Sequence, residues 1–149
     1  MFSHGKPFTA REAGYFTDLV NGSVPAYFEK GRNQMSESKL RSMAVQFAVD
    51  AVKFCSTVKG HSSLVNQLER SATSIGANIH EANYAHGRAD FIAKLQIALK
   101  ECYETEYWIE VFVKSGLTEK ETAAPLYNQC RTIRRMLVSS VNTAKANSD

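Results

Sequence analysis

Four stretches of this chain repeat apolar residues at alternating steps of four and three. The first stripe runs without a miss and consists of Leu40, Ala44, Phe47, Ala51, Phe54 and Val58. The other three span residues 64–82, 91–112 and 126–144. An α-helix brings positions three and four apart onto one face, and this spacing is typical of helices that pack in bundles. The pattern therefore predicts an all-α fold.

The breaks between the stripes predict how the helices are connected. Gly60, the pair His86-Gly87 and Gly116 interrupt the periodicity at three places. Helices joined by short turns pack as antiparallel neighbours. We therefore expect an antiparallel, up-down-up-down four-helix bundle over residues 36–149. Residues 1–35 are expected to form an N-terminal arm with short helical pieces.

Glycine in the middle of the second predicted helix needs a physical reason. Gly76 costs about 1 kcal/mol in helix propensity relative to alanine. It lies beside Ser71, Ala72 and Ala77, which together make a slim surface. Such a surface allows a neighbouring helix to come close.

The composition and the cysteine spacing limit the class of protein to which this chain can belong. The chain has 149 residues, with 44% hydrophobic and 22% charged residues, which is ordinary for one soluble domain. No apolar run approaches the roughly 18 residues of a membrane span, and the N-terminus shows no secretory signal. Cys55, Cys102 and Cys130 are far apart, which argues against a disulfide framework and a zinc site. We expect a cytoplasmic protein that does not contact membranes.

Catalytic and metal-binding patterns are missing from the sequence. There is no Glu-x-x-His pair of the di-iron bundles, no glycine-rich phosphate loop and no nucleophile elbow. His80-Glu81 begins like a metalloprotease motif, but Tyr84 stands where the second histidine is required. We therefore predict no enzymatic activity, no metal, no cofactor and no small-molecule substrate.

A row of polar residues follows the apolar stripe of the second helix. Arg70, Ser74, Asn78 and Glu81 are separated by four, four and three positions and share one face. They could recognise a ligand, or they could fix the register between helices. Mixed charge with a central amide favours the second interpretation. The predicted structural polar network consists of Arg70, Ser74, Asn78, Glu81 and Glu104.

The excess positive charge lies at the end of the chain. Residues 123–149 carry Arg131, Arg134, Arg135 and Lys145 against Asp149 alone, and this +3 equals the net charge of the whole chain. These side chains could neutralise the acidic residues of the third helix, or they could contact a phosphate backbone. They are the candidate nucleic-acid-binding residues.

The third predicted helix also has a second apolar face. That face consists of Ile92, Leu99, Tyr103, Trp108 and Val113. It could dock on a partner protein, or it could be a wide stripe buried within the bundle. Both interpretations remain open from the sequence.

Residues 64–84 carry a motif that resembles the bacterial 23S ribosomal-RNA intervening-sequence protein family. The family pattern Arg-x-x-x-Ser-Ile-x-Ala-Asn-Ile-x-Glu is matched by Arg70, Ser74, Ile75, Ala77, Asn78, Ile79 and Glu81. Its later Asp-Phe-x-x-x-Leu-x-x-Ala-Leu and Glu-x-Glu stretches are matched by Asp90, Phe91, Leu95, Ala98, Leu99, Glu104 and Glu106. The chain departs from the family at Gly76, where proline is usual, and at Lys100-Glu101, where a Gly-Ser pair is usual.

This resemblance implies a left-handed bundle, assembly into a ring-shaped homopentamer and association with RNA. The fold is also similar to the accessory variability proteins of diversity-generating retroelements, an analogy at the level of fold alone. The leading hypothesis is a non-enzymatic homo-oligomeric bundle that binds RNA through basic surface. The alternative is a protein-binding scaffold that uses the second apolar face of the third helix and the N-terminal arm.

Overall fold

The computed structural model describes the backbone of residues 34–146 and the side chains of residues 39–146. Four helices make up this part of the chain: α1 (Gln34–Thr57), α2 (Ser62–Ala82), α3 (Arg88–Lys114) and α4 (Lys120–Ala146). No strand occurs within residues 34–146. The predicted all-α four-helix bundle is therefore confirmed, whereas residues 1–33 of the predicted arm lie outside the described residues.

The buried core consists mainly of the four predicted stripes, of which Val58 and Leu64 are only partly buried. Its largest side chains include Phe47, Leu68, Phe112 and Leu137, each at most 1% exposed. The rings of Phe54 and Phe112 lie 6.4 Å apart between centroids and join α1 to α3 through the centre of the bundle. Burying a side chain of this size contributes about 1.5–3 kcal/mol. The core therefore provides most of the driving force that holds the helices together.

One polar pair is buried within this core. Ser71 on α2 and Thr105 on α3 are both 0% exposed, and their side-chain oxygens lie 2.9 Å apart. The Ser71 hydroxyl donates to the carbonyl of Leu68, and the Thr105 hydroxyl also lies 2.8 Å from the carbonyl of Glu101. Because buried hydroxyls are costly only when they lack a partner, the pair fits between α2 and α3 without a penalty.

Glycine ends α3 as the sequence predicts. Gly116 has a φ of 72°, which is the left-handed conformation that glycine adopts at no steric cost. The amide of Gly116 donates to the carbonyl of Val113, and the amide of Leu117 donates to that of Phe112. This pair of bonds is the Schellman arrangement that satisfies the last carbonyls of a helix. It turns the chain back so that α4 packs antiparallel to α3.

The three cysteines are buried, and all are free thiols. Burial, assisted by the charge of Glu69, raises the pKa of Cys55 to about 11. The thiol of Cys130 lies 3.5 Å from the carbonyl of Cys102, between α4 and α3. A thiol that stays protonated and out of contact with water behaves as a small apolar side chain.

Gly76 lies where α2 packs against the backbone of α1. A Cβ atom built at this position would be 3.4 Å from the carbonyl oxygen of Ala44 and 3.8 Å from its Cβ. The atom nearest to the added methyl group belongs to the backbone of α1, which cannot rotate away. Gly76 thus has room for one methyl group in ordinary van der Waals contact with α1.

The Gly76→Ala variant is expected to be as stable as the wild type, or up to about 1 kcal/mol more stable, because helix propensity improves while the methyl group just fits. Gly76→Leu is expected to lower the free energy of unfolding by about 1–3 kcal/mol, because α1 must move away. Urea denaturation followed by circular dichroism measures both. Equal stability of the alanine and leucine variants would contradict the close approach of the two helices.

Candidate functional site

Two ion pairs from the predicted polar row join α2 to α3. Arg70 binds the carboxylate of Glu104, and Glu81 binds Lys94. In sequence number, each pair is centred on residues 87–88, where the connection from α2 ends and α3 begins. The buried pair of Ser71 and Thr105 has the same midpoint. All three contacts therefore belong to one antiparallel register.

The middle of the row does not take part in these bridges. The Asn78 side-chain amide donates to the backbone carbonyl of Ser74 at 2.8 Å, which is a bond within α2. The contacts that cross to α3 come from the two ends of the row, Arg70 and Glu81. Lys94 was missed by the sequence reasoning, although the antiparallel register that pairs Arg70 with Glu104 also places position 94 opposite Glu81.

Three residues of α3 complete the environment of Arg70. Trp108 Nε1 donates to Glu104 Oε1 at 3.2 Å. The second carboxylate near Arg70 belongs to Glu101, whose Oε2 lies 3.7 Å from Arg70 Nη1. That oxygen is buried and accepts no hydrogen bond from the described residues.

The two carboxylates have opposite pKa shifts. Burial raises the pKa of Glu101, the nearby charge of Glu104 raises it further, and the charge of Arg70 offsets only part of this rise. Partial burial also raises the pKa of Glu104, but the hydrogen bonds from Trp108 and Arg70 outweigh it and hold this pKa below its ordinary value. The fold therefore favours a charged Glu104 and disfavours a charged Glu101.

The candidate nucleic-acid-binding residues fall into two groups. Arg134 is mostly buried and donates from Nε to Glu106 Oε1 at 2.6 Å, so its charge is neutralised by α3. Arg131, Arg135 and Lys145 are exposed. None of these three forms an ion pair with any residue from 39 to 146. Their charges remain available to a ligand.

Two of the arginines of α4 each lie beside a tyrosine ring. The Arg134 guanidinium lies over the ring of Tyr103, 5.1 Å from its centroid, and the Arg131 guanidinium lies 5.9 Å from the centroid of Tyr127. Tyr107, one turn beyond Tyr103, is 57% exposed. We call this surface the α3–α4 face; it consists of Tyr103, Tyr107, Tyr127, Arg131, Arg134 and Arg135. The tyrosines were not among the predicted site residues, although Tyr103 with Tyr107 and Tyr127 with Arg131 are each four apart in the sequence.

The second apolar face of α3 is largely covered. Ile92, Leu99, Trp108 and Val113 are partly buried against the core, and Tyr103 alone of the five is more than half exposed. This arrangement favours the wide buried stripe over a docking face. An exposed apolar stripe lies on α1 instead, where Val45, Val49 and Val52 are 59%, 41% and 43% exposed.

Two observations on the described part of the chain concern metal binding and membrane insertion. Within it, no group of three or more histidine, cysteine, aspartate or glutamate side chains is placed to hold a metal ion. The His80 ring packs on Tyr84 with 5.3 Å between centroids, and burial lowers its pKa. None of the helices within residues 34–146 combines the length and apolar character needed to cross a membrane.

Because the fold favours the charged form of Glu104 and disfavours that of Glu101, replacing each with glutamine should affect stability differently. Glu104→Gln is expected to lower the free energy of unfolding at pH 7 by roughly 1 kcal/mol, because it weakens the bonds to Arg70 and Trp108. Glu101→Gln, the matched control, is expected to leave it unchanged or raise it, because a disfavoured charge is removed. Thermal unfolding of the two variants at pH 7 measures the difference.

The pH dependence of the stability follows from the shifted pKa values of Glu104 and Glu101. Glu104 has a lowered pKa, so its stabilising contribution is present above the ordinary pKa of a glutamate and is lost as the pH falls. Glu101 has a raised pKa, so its unfavourable contribution develops as the pH rises above that ordinary value. An equal loss of stability in both variants at pH 7 would show that the two environments do not differ.

Comparisons with known proteins agree with the motif in α2. A sequence model of the 23S rRNA-intervening sequence protein family matches residues 36–139. A similar solved structure has a TM-score of 0.68 and 36% sequence identity, and it covers 72% of this chain and 98% of that chain. It is a protein of unknown function from the S23 ribosomal protein family of Bacteroides thetaiotaomicron VPI-5482. No curated protein matches the chain. The resemblance seen at residues 64–84 is confirmed, and the chain belongs to the 23S rRNA-intervening sequence protein family.

Proposed function

We propose that this protein is a homo-oligomeric bundle that binds RNA through the α3–α4 face, as a cytoplasmic binding protein and not as an enzyme. The observation that carries the proposal is the exposure of Arg131 and Arg135 without a carboxylate partner among the described residues. Exposed guanidinium groups bind phosphate oxygens in a bidentate manner. Lys145, near the end of α4, adds a further exposed cation.

The distribution of charge supports the assignment to α4. This helix carries five basic side chains and one acidic side chain, whereas α2 and α3 together carry five basic and seven acidic side chains. The surplus of positive charge on α4 therefore attracts an anionic polymer to the side of the bundle that this helix forms. Arg134 contributes less to this attraction than the sequence suggests, because Glu106 neutralises it.

The names of similar proteins direct the proposal toward RNA. The matching family is named for the intervening sequence of 23S rRNA, and the similar solved structure is assigned to a ribosomal protein family. Neither name describes a binding surface. The α3–α4 face is the part of this chain that we assign to that role.

Self-assembly is supported by the exposed apolar stripe on α1. Val45, Val49 and Val52 are spaced by four and three positions, so they lie on one face of the helix, pointing away from core residues such as Phe47 and Ala51. Contiguous exposed apolar side chains are typical of protein–protein contacts. We propose that this stripe contacts a second copy of the chain in a homopentamer, in which five copies of a modest basic face act together.

The alternative of a protein-binding scaffold has less support. Four of the five side chains in the second apolar face of α3 are packed against the core. The N-terminal arm, its other proposed surface, lies outside the described residues. We therefore do not extend the proposal to a scaffold.

Reversing the two free arginines tests the binding proposal. The double variant Arg131→Glu, Arg135→Glu is expected to bind a labelled structured RNA at least about tenfold more weakly in 50 mM salt, because two phosphate contacts are lost. Lys59→Glu, Arg88→Glu is the matched control, since both side chains are exposed, both lie outside α4 and the change in net charge is the same. Fluorescence anisotropy measures the affinities. No binding by the wild-type protein at low salt, or equal losses in the two double variants, would contradict the proposal.

The assembly proposal predicts that Val49→Asp converts the oligomer into monomers while the helix content stays unchanged. The charge would lie in the middle of the apolar contact, where burying it without a partner is costly. Ile97→Asp on α3 is the matched control, because Ile97 is 42% exposed and Val49 is 41% exposed. Light scattering gives the mass of each species. A monomeric wild type, or an oligomer that persists in Val49→Asp, would argue against this contact.

A further inference from the structure

The α3–α4 face contains more than the cations that phosphate binding requires. We infer that it takes unpaired nucleotides, whose bases stack on the rings of Tyr103 and Tyr107 while Arg131 and Arg135 contact the backbone. This inference rests on the proposed function and narrows it to single-stranded RNA.

Exposure of the two rings is the first argument. Tyr103 and Tyr107 are 52% and 57% exposed, and they are the largest aromatic surfaces that α3 presents to solvent. They are four residues apart, so their backbone positions lie one turn, or about 6 Å, apart along the helix. Each ring can therefore take a base of its own. Stacking on an aromatic ring is the sequence-tolerant way in which proteins hold single strands.

Both rings are held in place by the residues around them. The Arg134 guanidinium lies over Tyr103, and the ion pair with Glu106 fixes the position of that guanidinium. Tyr107 meets Trp108 edge to face at 4.9 Å, and Trp108 is bonded to Glu104. Rings that are already ordered lose little conformational entropy when a ligand stacks on them.

Cations on α4 neighbour the arginine that covers Tyr103. Arg131 is near Tyr127 and is one turn from Arg134, which in turn covers Tyr103. Arg135 follows on the exposed side of α4. Aromatic rings interleaved with unpaired cations are the combination found in single-strand binding surfaces.

A duplex would use only part of this surface. In a double helix the bases are stacked on each other, and A-form RNA presents mainly its phosphates and 2′-hydroxyl groups to a protein. The arginines could contact those phosphates, but no base would be free to stack on the tyrosines. The difference between single strand and duplex is therefore the property that distinguishes stacking from simple charge attraction.

The test compares one labelled twelve-nucleotide RNA, alone and annealed to its complement, by anisotropy with the full chain. The wild type is expected to bind the single strand more tightly. Tyr103→Leu, Tyr107→Leu is expected to lose at least about fivefold in affinity for the single strand and less than about twofold for the duplex. Tyr103→Phe, Tyr107→Phe keeps the rings and is expected to keep the affinity. Tyr84→Leu is the matched control, because Tyr84 is exposed in the turn that follows α2, away from the α3–α4 face.

The other outcomes separate the inference from the proposed function. If both probes bind equally and the leucine variant binds like the wild type, while the Arg131 and Arg135 reversals weaken both, the inference is wrong and the proposed function stands. If the phenylalanine variant loses as much affinity as the leucine variant, stacking is not the cause and the inference is wrong. If neither probe binds to the wild type, the proposed function fails together with the inference.

Discussion

The register between α2 and α3 is the constraint on which the rest of this structure depends. It is fixed at two levels along the helices: the buried hydroxyl pair and the Arg70 ion pair near the middle of α2, and the Glu81 ion pair near its end. A shift of one turn would separate both ion pairs and break the bond between the two buried hydroxyls, each of which would keep only the backbone carbonyl of its own helix as a partner. Because α3 is held in this way, its opposite side presents Tyr103 and Glu106 to α4 at a defined height.

Much of the fold could be predicted because it depends on spacing within single helices. The stripe from Leu40 to Phe54 is buried as its period indicates, and Gly116 ends α3 with the bonds that a left-handed glycine permits. Val58 and Leu64, at the ends of their stripes, are only partly buried, because the bundle is open to water at its ends. Periodicity identifies the buried face of a helix, but it does not show how far along the helix the burial continues.

The site was harder to predict because it depends on partners on other helices. Arg134 and Arg135 are adjacent in the sequence, yet only Arg134 has a carboxylate within reach. The difference comes from the 100° between successive residues of a helix, combined with the height of Glu106 on α3. The same reasoning explains why Lys94 and the exposed tyrosines were missed, and why four side chains of the second apolar face of α3 proved to pack against the core. The spacing of residues in the sequence predicts which side chains share a face of one helix. Predicting which of them contact another helix also requires the register between the two helices.

Trp108 links two parts of the molecule that are otherwise separate. Its indole N–H bonds to Glu104 within the α2–α3 contact, and its ring meets Tyr107 on the α3–α4 face. A ligand that moves Tyr107 would also disturb the group that stabilises the charge of Glu104. Occupancy of the face and the strength of the α2–α3 contact are then thermodynamically linked, and each must change the other by the same free energy. Since the chain has a single tryptophan, its emission reports on both ends of that link at once.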